Sequence, residues 1–168
     1  RGVNAFASAK GMQVHIDFIK QDPLLERECL QKLADDKSTG AILFLSDPEE
    51  NAGALESLDR AGVPYVLLDR CARSWQTNYV GSNNLAGAFE QVRHLVEMGH
   101  TDICFASFSL ALNTERERHA GYIEGMMQIA GGKPGCLVSS LDMLVCEIIP
   151  RIKKGELDRK STRLNSSH

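Results

Sequence analysis

The chain has 168 residues, 43% of them hydrophobic, enough to fill the core of one ordinary domain. Its 19 lysines and arginines against 22 aspartates and glutamates leave a net charge of -3, which gives no electrostatic footprint for nucleic acid. No apolar run reaches membrane-spanning length, no secretory signal is recognisable, and the five cysteines form no C-x-x-C pair, a pattern of reduced, mostly structural thiols.

Residues 1–10 read as the end of a helix, with Val3, Phe6 and Ala7 on one face and Gly11 as its stop. Met12 to Phe18 alternates Val14, Ile16 and Phe18 with polar partners, the period of a strand. Asp22-Pro23 opens the next helix with a capping side chain and a proline at the first position, and Leu25, Cys29 and Leu33 form its expected inner face. Residues 40–45, GAILFL, are a continuous apolar run of the kind buried on both faces of a sheet. Asp47-Pro48-Glu49-Glu50 repeats the start signal, with a carboxylate at the reciprocal capping position, and the helix behind it carries Leu55 and Leu58 as far as Gly62. Residues 63–68, VPYVLL, give another short buried strand, which ends at Asp69 and Arg70. A polar connector containing Trp75 and a short apolar element at Tyr79-Val80 follows.

In the second half, Leu85, Phe89, Val92 and Leu95 recur at helical spacing, and Gly99 supplies a left-handed stop. Ile103 and Phe105 mark a strand near 102–107. Thr114-Glu115-Arg116-Glu117 reads as a capping box opening a helix that runs on through Ile123, Met126 and Ala130. Arg116 and Arg118 fall in its first turn, where the helix dipole disfavours cations; Arg116 reads as solvated. Gly131 to Gly135 breaks the helix. Leu141 to Lys154 is helical in pattern, with Pro150 as an interruption, and residues 158–168 read as a non-native tail. The alternation of helix and strand predicts a parallel sheet covered by helices, with ligands bound outside the carboxyl ends of the strands. His15, His94 and His100 have no metal-motif spacing, and no P-loop or nucleophile elbow occurs, so neither an enzyme nor a cofactor is expected.

HLVEMGHTDICF, from His94 to Phe105, followed by NTERERHAGY, from Asn113 to Tyr122, resembles the effector-binding core of the lactose/galactose repressor family of bacterial transcription regulators. The H-L-x-x-x-G-H-x-x-I run from His94 and the R-x-x-G-Y run from Arg118 carry the resemblance, which covers roughly residues 1 to 157. It implies an α/β fold of parallel sheets flanked by helices, periplasmic-binding-protein-like, with two subdomains and incomplete at both ends. Residues 1–82 would be part of the N-terminal subdomain and 83–157 part of the C-terminal one. It further implies a sugar- or nucleoside-type effector in the cleft between them, a cytoplasmic homodimer, and DNA binding through a helix-turn-helix segment that this sequence lacks. A periplasmic sugar-binding protein of the same fold is the alternative.

The resemblance also implies site residues. Arg118 stands where family members hold ligand oxygens with an arginine, although it could simply pair with Glu115 or Glu117. Thr114 stands at another frequent contact, or serves only as a helix cap. Asp69 matches a strand-end ligand contact, or pairs with Arg70. Ser82 and Asn83 fall in VGSNN, where many relatives have VGSDN; Asn83 keeps hydrogen-bonding reach and loses the charge.

Overall fold

A computed structural model describes residues 2–19, 22–74, 76–100, 102–107, 109–131 and 137–154. Trp75, Cys136, most of the glycine-rich break and the tail at 158–168 lie outside them. The first sheet contains β1 (Ala41–Leu43), β2 (Tyr65–Leu68) and β3 (Tyr79–Val80), in that order and all parallel. The second pairs β4 (Phe105–Ala106) with β5 (Leu137–Val138), also parallel. The helices are α1 (Gly2–Ala9), α2 (Pro23–Asp35), α3 (Ala52–Ala61), α4 (Asn84–Glu97) and α5 (Asn113–Gln128), followed by the short α6 (Leu141–Met143) and α7 (Ile149–Lys153).

Helices α2 and α3 pack on one face of the first sheet. Leu30, Leu55 and Leu58 meet Leu43, Tyr65 and Leu67, and the three leucines on the helices are almost wholly buried. The opposite face is open: Ile42 is 56% and Phe44 57% exposed. The GAILFL run is therefore covered on one side only, because among the described residues both packed helices lie on the same side.

Asp22 caps α2 as expected, its Oδ1 accepting from the amides of Leu24 at 3.0 Å and Leu25 at 3.3 Å. The inner face of α2 is shifted by one residue from the expected one. Glu26, Leu30 and Ala34 point inward, while Leu25 is 47% exposed. The cause is polar: Glu26 accepts hydrogen bonds from the Ser46 amide, the Ser46 hydroxyl and the Asn51 side chain, all within 2.9 Å. Three good donors satisfy a carboxylate that would otherwise resist burial. The capping signal at Asp47 also resolves differently. Asp47 accepts from the Glu49 amide within a turn, and α3 begins only at Ala52.

Met12 to Phe18 contains no strand, and Phe18 is 93% exposed. Alternation fixes which faces a strand would present, but a strand also needs a neighbouring backbone to bond. Among the described residues none pairs with this segment.

In the second half, α4 and α5 lie in close contact. A Cβ on Gly121 would stand 2.1 Å from the Leu85 carbonyl oxygen, and one on Gly125 would stand 2.8 Å from the Val92 side chain. Val92, Ile103, Tyr122 and Met126 form the core there, and the Tyr122 hydroxyl donates to the Ile103 carbonyl at 2.7 Å. Gly99 has φ +87° and ends α4 as its position predicts. Pro150 does interrupt its helix. Leu144–Ile148 widens into a π-turn just before it, which makes room for a ring that crowds the carbonyl four residues back.

Candidate functional site

The carboxyl end of β2 carries Asp69, whose φ of +67° places a residue with a side chain in the left-handed region. Its amide donates to the Val80 carbonyl at 2.8 Å, and its carbonyl accepts from the Tyr79 hydroxyl at 2.9 Å. The backbone is thus clamped on both sides, while the half-buried carboxylate makes no hydrogen bond among the described residues. Arg70 does not pair with it. The Arg70 guanidinium turns to the carbonyls of Leu45 and Ser46 and lies 5.2 Å over the Phe44 ring. Ser46 is the residue held by Glu26, so one polar chain fixes the ends of β1 and β2 together.

Beyond Arg70, the connector is held by Glu49. Its carboxylate accepts from the Ser74 hydroxyl and from the amides of Arg73 and Ser74. These bonds, the one from the Ser74 hydroxyl foremost, hold the Glu49 carboxyl below its ordinary value. Burial, by contrast, pushes the Cys71 thiol and the Tyr79 phenol upward.

The other wall is made by the starts of α4 and α5. Asn83 caps α4, its Oδ1 accepting from the Ala86 amide at 3.1 Å, and both Asn83 and Ser82 are exposed. Asn84, one residue on, is buried. Its Nδ2 donates to the Glu117 carboxylate at 3.2 Å, and its Oδ1 accepts from Arg118 Nε at 2.9 Å. Arg118 also donates from Nη1 to Glu115 at 3.0 Å, with its side chain 42% exposed. The pairing with Glu115 therefore exists, yet it uses only part of the guanidinium fork.

Thr114 is 3% exposed and is not the cap. Leu112 occupies the capping position and offers no side-chain acceptor, and α5 starts at Asn113. The expected box fails because Glu117 is drawn to Asn84 instead of returning to the start of its own helix. Arg116 is not solvated either. It folds back to donate to the carbonyls of Leu110 and Ala111, stabilising the loop that enters α5. Among the described residues the amides of Asn113, Thr114 and Glu115 have no hydrogen-bond acceptor. A helix start that is buried and uncapped offers its amides to an outside oxygen.

Asn113 brings this helix start against the first sheet. Its Oδ1 accepts from the Cys71 amide at 3.1 Å, and it lies beside the Tyr79 hydroxyl, which already holds Asp69. This bond to Cys71 links the turn that carries the Asp69 carboxylate to the helix that carries the partly free Arg118 guanidinium and the open amides. A separate cavity of about 730 Å³ lies under the connector, lined by Asp59, Pro64, Cys71, Thr77 and Tyr79 among others. None of Asp69, Ser82, Asn83, Thr114 or Arg118 lines it. Sequence reading missed Asn84 and Asn113. The only local sign was their place beside selected residues, Asn84 after Asn83 and Asn113 before Thr114.

No family model matches the chain. EndR of Paenibacillus polymyxa, assigned as an HTH-type transcriptional regulator, is 30% identical over 125 residues, 73% of this chain and 36% of that protein. The HTH-type transcriptional repressor PurR of Photorhabdus laumondii is 32% identical over 105 residues, 61% of this chain and 30% of the relative. The chain thus spans about a third of the length of these curated relatives. Among solved structures, a chain from Burkholderia thailandensis assigned as a ribose operon repressor superposes with a TM-score of 0.69 at 29% identity, over 82% of this chain and 52% of that one. A periplasmic solute-binding protein of Actinobacillus succinogenes with bound D-allose gives a TM-score of 0.72 at 15% identity, over 88% of this chain and 58% of that one. That last likeness shows the fold alone.

Proposed function

We propose, on the premise that this chain is a relative of the lactose/galactose repressor family of transcription regulators, that it supplies part of the effector-sensing core of a cytoplasmic bacterial regulator. One observation carries the reading. The first turn of α5 is buried and uncapped, and Asn113 holds it against the turn that displays Asp69. Its open amides and Arg118 donate to ligand oxygens, while Asp69 accepts from ligand hydroxyls. That complement fits a sugar- or nucleoside-like effector.

In this reading Asp69, Thr114 and Arg118 touch the ligand, and Ser82 and Asn83 stand at the rim, where Asn83 retains its amide donors. Residues 1–82 and 83–157 then belong to two subdomains that close on the effector. Closure shifts the population of a homodimer between forms of different DNA affinity, provided the effector binds the two forms unequally. With a net charge of -3, this stretch leaves DNA contact to a segment outside these 168 residues. No enzymatic step is assigned. The transport reading rests on fold likeness, whereas the relatives detected by sequence are regulators.

Calorimetric titration with a panel of pentoses, hexoses and purine nucleosides tests the proposal; a panel without a single binder at millimolar concentration counts against it. For whichever compound binds, Arg118→Ala is expected to cost about 1.5–3 kcal/mol, the scale of a hydrogen bond to a charged group. That is roughly a tenfold to hundredfold loss of affinity. Arg93→Ala, on the exposed side of α4, serves as the control. Unchanged affinity in Arg118→Ala would reduce Arg118 to its ion pair with Glu115.

A further inference from the structure

We propose that Asn113 is the positioning residue of the candidate site, a tether that sets how far the start of α5 stands from the Asp69–Cys71 turn. Asn113 is 6% exposed and is the first residue of α5, directly before Thr114. Its Oδ1 accepts from the Cys71 amide at 3.1 Å, joining positions 42 residues apart. The same side chain lies against the Tyr79 hydroxyl, which donates to the Asp69 carbonyl. One amide group therefore ties the start of α5 to the residue two beyond the left-handed Asp69.

An asparagine suits this task physically. Its carbonyl oxygen takes the Cys71 amide on a short side chain that spans two elements, while its buried Nδ2 makes no hydrogen bond among the described residues. It has little rotamer freedom, and burial removes what remains. A longer residue would allow the two walls to slide, and an apolar one would leave the Cys71 amide buried without an acceptor. The remaining charged groups nearby act at longer range: the Arg116 guanidinium helps to hold Glu49 ionised, and Glu117 bears on Cys71 and Tyr79. None of these replaces a directional bond.

The functional weight of this tether rests on these two walls holding the ligand, as proposed above. Its existence does not, and the test is chosen to keep the two apart. Amide hydrogen exchange is followed by NMR in the full chain without any ligand, for three forms: unaltered, Asn113→Leu and Asn113→Asp. The Leu67 amide, bonded to the Asn78 carbonyl where β2 meets β3, serves as the internal reference. Asn113→Leu keeps the size and removes the acceptor. It is expected to speed exchange at Cys71 at least tenfold with Leu67 unchanged. Asn113→Asp keeps an acceptor oxygen and adds a negative charge favoured at a helix start, so Cys71 protection is expected to return to within about threefold of the unaltered chain. Three results would overturn the proposal: no change at Cys71 in Asn113→Leu, a parallel rise at Cys71 and Leu67, or no rescue by Asn113→Asp. A parallel rise would mean that Asn113 only supports global stability. Because no ligand enters the experiment, failure here leaves the effector reading standing, and a negative ligand titration leaves the tether standing.

Discussion

Asp69 joins a left-handed backbone to a carboxylate that is here proposed to accept from ligand hydroxyls. Its left-handed φ is imposed by bonds on both sides, from its amide to Val80 and from Tyr79 to its carbonyl. Strained residues held by their surroundings often mark binding turns, and here the carboxylate makes no hydrogen bond among the described residues. Stability and binding should therefore separate on substitution. Asp69→Val, branched at Cβ, is expected to lower the unfolding free energy by about 1–2 kcal/mol. Asp69→Gly, which has no Cβ, should leave thermal stability level or slightly raised. Both should weaken the effector found by titration, since both lose the acceptor. Differential scanning calorimetry beside the binding assay reads the two effects; a Gly variant destabilised as much as the Val variant would show that φ is not the source of the cost. The strand end at Asp69 was legible in the sequence because the apolar run before it marks where β2 stops. Asn84, Asn113 and Glu26 were not, because their partners lie 20 to 42 residues away and appear only once the chain has folded.

Among the elements, helices were read more faithfully than strands. A helix bonds within itself, so the periodicity of α4 and the glycine after it were sufficient. A strand is completed by a neighbour, and Met12 to Phe18 has the right alternation without one. The inner face of α2 was misplaced for a related reason: apolar periodicity points to Leu25, while Ser46 and Asn51 draw Glu26 inward. The R-x-x-G-Y run divides into separate tasks. Arg118 binds Asn84, Gly121 lets the helices touch, and Tyr122 anchors the residues leading into β4. Two glycines accordingly predict opposite signs. Gly121→Ala puts a methyl against the Leu85 carbonyl and should cost about 1–3 kcal/mol, as overpacking does. Gly87→Ala, also helical but with nothing within 4 Å of the added Cβ, should gain up to about 1 kcal/mol from helix propensity. Urea denaturation of the two variants checks the pair, and a like sign for both would refute the close-approach argument.

At the scale of the molecule, two small parallel sheets are joined through their strand ends and helix starts. The polar chain Glu26–Ser46–Arg70 and the clasp of Glu49 on Arg73 and Ser74 order the loops at one end of the first sheet. The face left uncovered and the Met12 to Phe18 segment left unpaired among the described residues have a bearing on how the purified chain behaves in a test tube. Val14, Ile16 and Phe18 present a row of alternating apolar groups to water, and Ile42 and Phe44 present another on the open sheet face. A net charge of only -3 offers little mutual repulsion between molecules. Colloidal stability, more than unfolding, should then limit the usable concentration. Light scattering is expected to rise with protein concentration and to rise further in ammonium sulfate, which strengthens apolar association. Ile16→Lys, a charge of the kind that guards natural sheet edges, should suppress that rise at unchanged melting temperature.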